Sequence, residues 1–426
     1  MGSVAGLSMA QLLRLQQTHG IDATASKNDV SCIFIFIIGG MAHQDMWDVK
    51  PEAPAEIRGD FHPIETRVPG IQVSNLLPRI AGVTDKLAIL RSMTHGDPDH
   101  TAGYHVMMTG QHPGVGGNFN RNVLNNNMHP SFGSMVAKMG SSSGRLPPYI
   151  SVPNFLNSGG PSFLGPSYAP FVIEADPASP EFSVRDIVLA EGVTNDRSLR
   201  RQSALRAINH LERSVEQFSK QERALDTYYE KAYQLMTSNE AKQAFEIERE
   251  TPATRDAYGM TSLGQCCLLA RRLVESGCRF VSIENGHWDT HRKNSESLRD
   301  LLVPPLDQGV SALLNDLEER GRLDSTLVVL TTEFGRTPRI NDMAGRDHWP
   351  QAFSIVMAGG GLKRGLTIGA TDKQAASVID RPITPSDMAA TLLKALGIDP
   401  DVTLHTPIGR PVQLAGGGRP VHELFA

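Results

Sequence analysis

The chain has 426 residues, of which 40% are hydrophobic and 20% charged, with a formal net charge of -5. That is enough apolar material for one large α/β domain or two smaller ones, and a charged fraction below the common value of about 25% argues against disorder. The mild acidity gives no electrostatic basis for nucleic-acid binding, and the longest apolar run, residues 33–38, is strand-sized rather than membrane-spanning.

Residues 4–15 are mildly apolar and precede a polar stretch, 16–29. Residues 1–29 read as a linker or the remnant of an export signal and stand apart from a single α/β domain over 30–426. Residues 32–38, Cys-Ile-Phe-Ile-Phe-Ile-Ile, show no polar alternation. A short, continuous, β-branched and aromatic run fits a central strand covered on both faces. Gly39-Gly40 ends it. A second strand is expected at 87–91 and a helix over 101–108, stopped by Gly110. Residues 111–180 are rich in Gly, Pro, Ser and Asn and read as long loops with short strands such as 149–152. Loops of that length in a compact protein are usually functional or mobile.

Residues 198–250 contain no Gly or Pro and place Leu205, Ile208, Leu211, Val215 and Phe218 at helical spacing. The pattern predicts a helical hairpin insertion that caps the site, packs on the core or meets a partner subunit. A regular series follows. A helix over 262–276 ends at Gly277, a strand covers 279–284, and a helix over 297–320 is stopped by Gly321. Strands are expected at 326–332 and 352–358, and a last helix starts at Thr384-Pro385-Ser386-Asp387 and ends at Gly397. Alternating strands and helices imply a central, mostly parallel sheet with helices on both faces. None of the four cysteines, Cys32, Cys266, Cys267 and Cys278, forms a C-x-x-C pair, and their apolar surroundings predict buried free thiols.

Polar motifs follow several strands. In open α/β sheets, ligands bind at the carboxyl ends of strands. Gly286-His287-Trp288-Asp289-Thr290-His291 follows one strand, and Glu333-Phe334-Gly335-Arg336 follows another. A two-residue spacing in an extended loop puts Asp289 and His291 on one side, where both reach a common cation. Glu333 ends a central strand, and Arg336 is a plausible bidentate clamp for phosphate or sulfate oxygens. In Gly345-Arg346-Asp347-His348-Trp349, His348 is a further candidate ligand, with Asp347 or a backbone carbonyl as its hydrogen-bond acceptor. After the first strand, Asp45 and Asp48 offer oxygen ligands. Residues 95–105 hold three histidines and run into a helix start, a place that favours anions.

Together these motifs resemble the bacterial domain of unknown function 1501 family. The resemblance rests on residues 35–40 through Trp47-Asp48, then 55–59, 90–95, Met108-Thr109-Gly110, 288–291, 333–338 and 345–349, in that order. The family is similar to the alkaline phosphatase and sulfatase superfamily. The resemblance implies an alkaline-phosphatase-like fold with metals at the carboxyl ends of the strands, and a periplasmic or otherwise exported location. Asp45 matches the early carboxylate, Asp289 and His291 the first late ligands, and His348 the last histidine. Two departures stand out. Glu333-Phe334 replaces the Asp-His pair usual before Arg336, and the nucleophile slot holds His100, with Thr101 beside it.

The expectation is a metal-dependent hydrolase of small-molecule or glycan phosphate or sulfate esters. Asp289, His291 and His348 would hold one divalent cation (Zn, Mn, Mg or Ca). Asp45 and Glu333 would hold a second or complete the first. Arg336 would clamp the anion. Thr101 would be the nucleophile with His100 as its base, or His100 would ligate the metal while water attacks. The competing expectation is a non-catalytic exported binding protein on the same scaffold.

Overall fold

The apolar run after residue 30 forms β1 (Ser31–Ile37), in which every residue is buried. In the computed structural model, residues 30–113, 128–140, 146–184 and 238–425 are described. The expected export-signal remnant or linker, residues 1–29, and residues 198–237 of the expected helical insertion lie outside the described residues. The end of that insertion is a helix, Asn239–Phe245, followed by a 3-10 turn at Ile247–Arg249.

Seven further strands join β1 in one sheet. They are β2 (Leu87–Met93), β3 (Tyr149–Val152), β4 (Phe171–Val172), β5 (Phe280–Asn285), β6 (Thr326–Thr332), β7 (Phe353–Ala358) and β8 (Leu366–Ile368). Their order is β8-β2-β7-β6-β1-β5-β3-β4. β1 lies between β5 and β6 and pairs in parallel with both. β7 runs antiparallel to both of its neighbours, β2 and β6. The remaining pairings in this sheet are parallel.

The alternation hidden in β1 is between two cores. Ile33, Ile35 and Ile37 join the cluster on one face, and Cys32, Phe34 and Phe36 join the other. Such period-two division over two apolar faces is why the strand reads as an unbroken hydrophobic run. The first face is covered by α3 (Ser262–Glu275) and α4 (Val303–Glu319), through Leu269, Leu306 and Leu313. The second is covered by α1 (His100–Thr109), α2 (Phe132–Met139) and α5 (Pro385–Ala395), through Met107, Met135 and Leu392. All four cysteines are buried and unpaired. Among the described residues, no helix is long and apolar enough to cross a membrane.

One helix differs from expectation. The segment expected as a single helix over 297–320 begins with a turn at Asn294–Ser297 and a π-helical turn at Leu298–Leu302, and only then becomes α4. Pro304 and Pro305 lie at the start of α4 and lack N–H donors, so the ordinary i to i-4 ladder cannot run through them.

Candidate metal centre

Because β6, β1 and β5 are adjacent and parallel, their carboxyl ends lie side by side. The loops after them carry Glu333, Gly39-Gly40 and Trp288-Asp289. β7 runs the other way, so its amino end reaches the same edge and brings His348 there. The β2 exit leads through His95 into α1, whose first residue is His100.

The crossing of these loops is tight. Gly39 has φ +123°, and a Cβ on it would stand 2.2 Å from the Asp289 backbone nitrogen. Only glycine lets β1 turn there while the Asp289 loop passes over it. A Cβ on Gly345 would meet the His291 carbonyl oxygen at 2.0 Å. The 341–347 loop therefore lies directly on the Asp289–His291 loop. Asn341 Nδ2 ties them by donating to the His291 carbonyl at 3.1 Å, and Arg346 N donates to the Thr290 carbonyl at 3.0 Å.

Asp289 is the hub. Its Oδ1 is 3.1 Å from His291 Nε2 and 3.1 Å from His348 Nε2, and those two nitrogens are 3.0 Å apart. His100 Nε2 is 3.4 Å from Asp289 Oδ2. Ligand atoms of His100, Asp289 and His348 all fall within 4.8 Å of one another. Buried Arg336 also donates to Asp289 Oδ1. Burial works against charge on Asp289, but His100, His348 and Arg336 outweigh it and hold its carboxyl far below the usual range.

The outer nitrogens have their own partners. His348 Nδ1 is 2.7 Å from the Pro98 carbonyl, which can only accept. His291 Nδ1 is 2.6 Å from Asp347 Oδ1, and His100 Nδ1 is 2.8 Å from Glu333 Oε1. A ring that donates from Nδ1 turns its Nε2 toward Asp289, as the carbonyl requires of His348, while His291 and His100 each meet a carboxylate at both nitrogens. Lone pairs and a carboxylate packed at these distances repel unless a proton or a cation lies among them. Without a cation, a proton takes that place. Burial disfavours charge on His100, but hydrogen bonds to Asp289 and Glu333 outweigh it and hold its pKa up at about 9.

Other expected site residues lie differently. Glu333 is fully buried, and its oxygens accept from Gly39 N at 2.7 Å, His100 Nδ1 and Thr332 Oγ1 at 2.9 Å. It holds His100 from behind rather than lying with Asp289. Asp45 is also buried, and it pairs with Arg346 through both oxygens at 2.8 Å while Asn294 donates to Oδ2 at 2.7 Å. The structure does not bring Asp45 into the cluster. Arg336 is the expected bidentate clamp for phosphate or sulfate oxygens. Its guanidinium is buried and donates to the Gly39, Gly40, Trp288 and Arg346 carbonyls as well as to Asp289. Thr101 lies on the first turn of α1, where its N–H is capped by Asp99 at 3.1 Å. Phe334 packs behind the His348 and His100 rings at 4.5 and 5.1 Å, and Tyr104 stacks on His100 at 5.8 Å.

The sequence reading missed Asn341 and Asn294, which have no local motif; of the two acceptors it offered for His348, Asp347 or a backbone carbonyl, the structure has a carbonyl, that of Pro98, while Asp347 lies behind His291. A divalent cation fits this donor set. Imidazole and carboxylate ligands backed by hydrogen-bond acceptors are the usual make-up of metal centres.

Solved structures similar to the chain include a sulfatase, PsFucS1, from Pseudoalteromonas sp., at 14% identity and TM-score 0.38, covering 91% of this chain and 70% of that one. They include the phosphonate monoester hydrolase SpPMH from Silicibacter pomeroyi, at 13% identity and TM-score 0.40, covering 92% and 76%. They also include an alkaline phosphatase superfamily protein from Vibrio parahaemolyticus, at 11% identity and TM-score 0.43, covering 99% and 80%. No curated protein sequence matches the chain. A family model described as protein of unknown function (DUF1501) matches residues 29–425. That match spans nearly the whole chain, including every strand and every histidine of the cluster, and the chain belongs to the DUF1501 family.

Proposed function

We propose that the protein is a metal-dependent hydrolase of phosphate or sulfate esters that acts in the periplasm or is otherwise exported. The observation that carries the metal part is the meeting of Asp289 Oδ1, His291 Nε2 and His348 Nε2 within 3.1 Å of one another at the carboxyl edge of the sheet. The ester class and the location follow from the motif resemblance described above. The amino end of α1 beside the cluster adds a dipole that favours an anionic substrate.

A divalent cation bound there would supply Lewis acidity toward an ester oxygen. The chain's own groups do the rest. Arg336 fixes the Asp289 carboxylate, Asp347 fixes the His291 ring, and the Pro98 carbonyl fixes the His348 ring. Phe334 and Tyr104 wall one side of the His100 ring. Water is the attacking group in this reading, because both His100 nitrogens are already directed at carboxylates and none is left as a base for Thr101.

The test is turnover of aryl phosphate and aryl sulfate esters by protein loaded with Zn or Mn, beside protein stripped with chelator. Metal-dependent turnover is expected. A protein that binds metal at one equivalent yet hydrolyses neither ester would favour the non-catalytic binding protein instead.

A further inference from the structure

We infer that Glu284 and Asn154 form a separate subsite beside the metal cluster, one that takes a protonated amine carried by the alcohol part of the substrate ester. The subsite assumes the proposed function in one respect, that the anionic end of the ester lies at the cluster.

The sheet brings the two residues together. β5 pairs in parallel with β1 on one side and β3 on the other, so the carboxyl ends of the three strands lie in a row. Glu284 is next to last in β5 and is paired with Phe36 of β1. Residues in register on parallel neighbours point to the same face. Glu284 therefore lies on the face that α1 covers, where the Phe36 ring meets that of Tyr104 at 5.7 Å. Ile283 is paired with Val152, the last residue of β3, and this register puts Asn154 beside Glu284 at the edge. The Asn154 amide donates to the Glu284 carboxylate. The Asn154 carbonyl is itself held by Ser151 Oγ at 2.6 Å, which fixes the turn.

Tyr104 links this pair to the cluster. It is buried and stacks on His100 at 5.8 Å. Burial, then the charges of Glu333, Asp289 and Glu284, push its hydroxyl far up, so it stays a neutral group among three carboxylates. Glu333 and Asp289 face it from the cluster, and Glu284 from the β5 side. Neighbouring strands are about 4.8 Å apart, so a substituent that leaves the cluster over Tyr104 meets Glu284 after one or two strand spacings, roughly 5–10 Å. His287 bends the chain between Glu284 and Asp289 with φ +74°. That conformation costs a non-glycine residue energy and is concentrated at functional sites.

The uneven partnering of Glu284 identifies the ligand. Asp45 is matched by Arg346, Asp48 by Lys50 and Glu250 by Arg271, while Asp307 accepts from the backbone N–H groups of Arg79 and Ile80. Glu284 is half-buried, and its partners among the described residues are the Asn154 amide and, at longer range, His287. Burial pushes its carboxyl up, and these two offset that only in part. A carboxylate drawn out of water and short of counter-charge is stabilised by a cation far more than by a neutral group. An ammonium brings the charge and three N–H donors, and the carboxylate has lone pairs left for it beyond the one that Asn154 takes. A hydroxyl brings one donor and no charge.

The experiment uses the full chain loaded with Zn²⁺. Calorimetric titration compares O-phosphoethanolamine with ethyl phosphate, which lacks only the ammonium group, and 2-aminoethyl sulfate with ethyl sulfate. Release of phosphate or sulfate from the same four esters is followed in parallel. For at least one head group, the wild type should bind the amine ester about 10–100-fold more tightly than the neutral one, the range of a hydrogen bond to a charged group. In Glu284→Gln, which keeps the size and one acceptor oxygen, that ratio should fall to within about twofold. Asn154→Ala should lower it by a smaller factor. Equal affinity of the wild type for amine and neutral esters, or binding of none of the four, would overturn the subsite. A preference that survives in folded Glu284→Gln would do the same. If Glu284→Gln does not fold, the wild-type ratio and Asn154→Ala decide. Selective binding without release of phosphate or sulfate would sink the hydrolase reading and leave the subsite standing.

Discussion

His348 Nε2 lies 3.1 Å from Asp289 Oδ1 although the two residues are 59 positions apart, and the contact depends on β7 running against its neighbours. A parallel β7 would place its amino end, and His348 with it, at the opposite edge of the sheet. The reversal lets residues before a strand join residues after β1, β5 and β6. With the β2 exit, which leads to His100, the cluster is thus assembled from four strand exits and one strand entry.

Asp289 is the residue whose loss should cost the site most. Asp289→Asn keeps the shape and an oxygen acceptor for Arg336 but removes the charge that the imidazoles face. Metal content of protein purified without chelator should fall below about 0.1 equivalent, because even outer partners of ligands are worth about 10–100-fold in affinity. Elemental analysis checks this, with circular dichroism confirming the fold. Full occupancy in Asp289→Asn would remove Asp289 from the ligand set.

Asp347 is about half exposed at the side chain and reaches the cluster through His291, with Asn341 Nδ2 also donating to it at 3.3 Å. Asp347→Ala should therefore leave stability within about 0.5 kcal/mol, as surface changes usually do. It should still lower Zn²⁺ affinity by about tenfold or more by freeing the His291 ring. Calorimetric titration separates the two effects. An affinity unchanged within twofold would show that Asp347 does not orient the ring.

The fold was legible from the sequence where elements were long and strongly patterned. β1, β6, α1 and α3 fall within a residue or two of their expected limits. Phe171–Val172 and Leu366–Ile368 are too short for any periodicity to show, and both escaped notice. In the site, Asp289, His291 and His348 were legible because each lies in a compact polar motif beside an apolar strand. Their partners were not. Whether Asp347 backs His291 or His348 depends on how two loops cross, and Asp45 meets Arg346 across 301 positions with no local signal. A carboxylate early in the chain reads the same whether a metal or a guanidinium faces it.

That buried pair makes a separable prediction. Asp45 and Arg346 are each about 1% exposed at the side chain, and Arg346 also donates to the Ile57 carbonyl at 2.9 Å. Removing one partner leaves a buried charge, which costs about 3–5 kcal/mol. Arg346→Met and Asp45→Asn should each destabilise by amounts of that order. The double variant should lose clearly less than their sum. Denaturant unfolding of the four proteins in chelator measures the coupling, and strict additivity would mean that the two side chains do not pair.

Acid should destabilise the protein through buried histidines outside the candidate metal cluster. Burial holds the His43 pKa down to about 4. Burial, with the charges of His129 and His112, holds His105 at about 3, and burial with Arg410 holds His129 at about 4. All three lie below the unfolded value of about 6.5. Their contribution is complete above that value and is lost as pH falls toward the folded values. The unfolded state takes up protons that the folded state refuses, at about 1.4 kcal/mol per pH unit for each group. In chelator, the melting temperature should fall steadily from about pH 7 to about pH 5, and His43→Asn should make that fall shallower. A melting temperature flat across this range would mean that these rings are protonated in the fold.

Two glycines close together at the site should behave oppositely. Gly39 has φ +123°, and an added Cβ would stand 2.2 Å from Asp289 N and 2.5 Å from the Trp288 carbonyl carbon. Those are backbone atoms, so relief requires the Asp289 loop itself to move. Gly39→Ala should then lose both stability, by more than about 2 kcal/mol for strain at a special φ, and metal binding, because Asp289 is displaced from His291 and His348. Gly286 begins that same loop, yet an added Cβ there meets nothing within 4 Å. Gly286→Ala should be neutral within about 0.5 kcal/mol and bind metal as the wild type does. Melting curves and elemental analysis of the two variants decide the point. Equal behaviour would mean that the close passage of β1 under the Asp289 loop is not what holds the carboxylate in place.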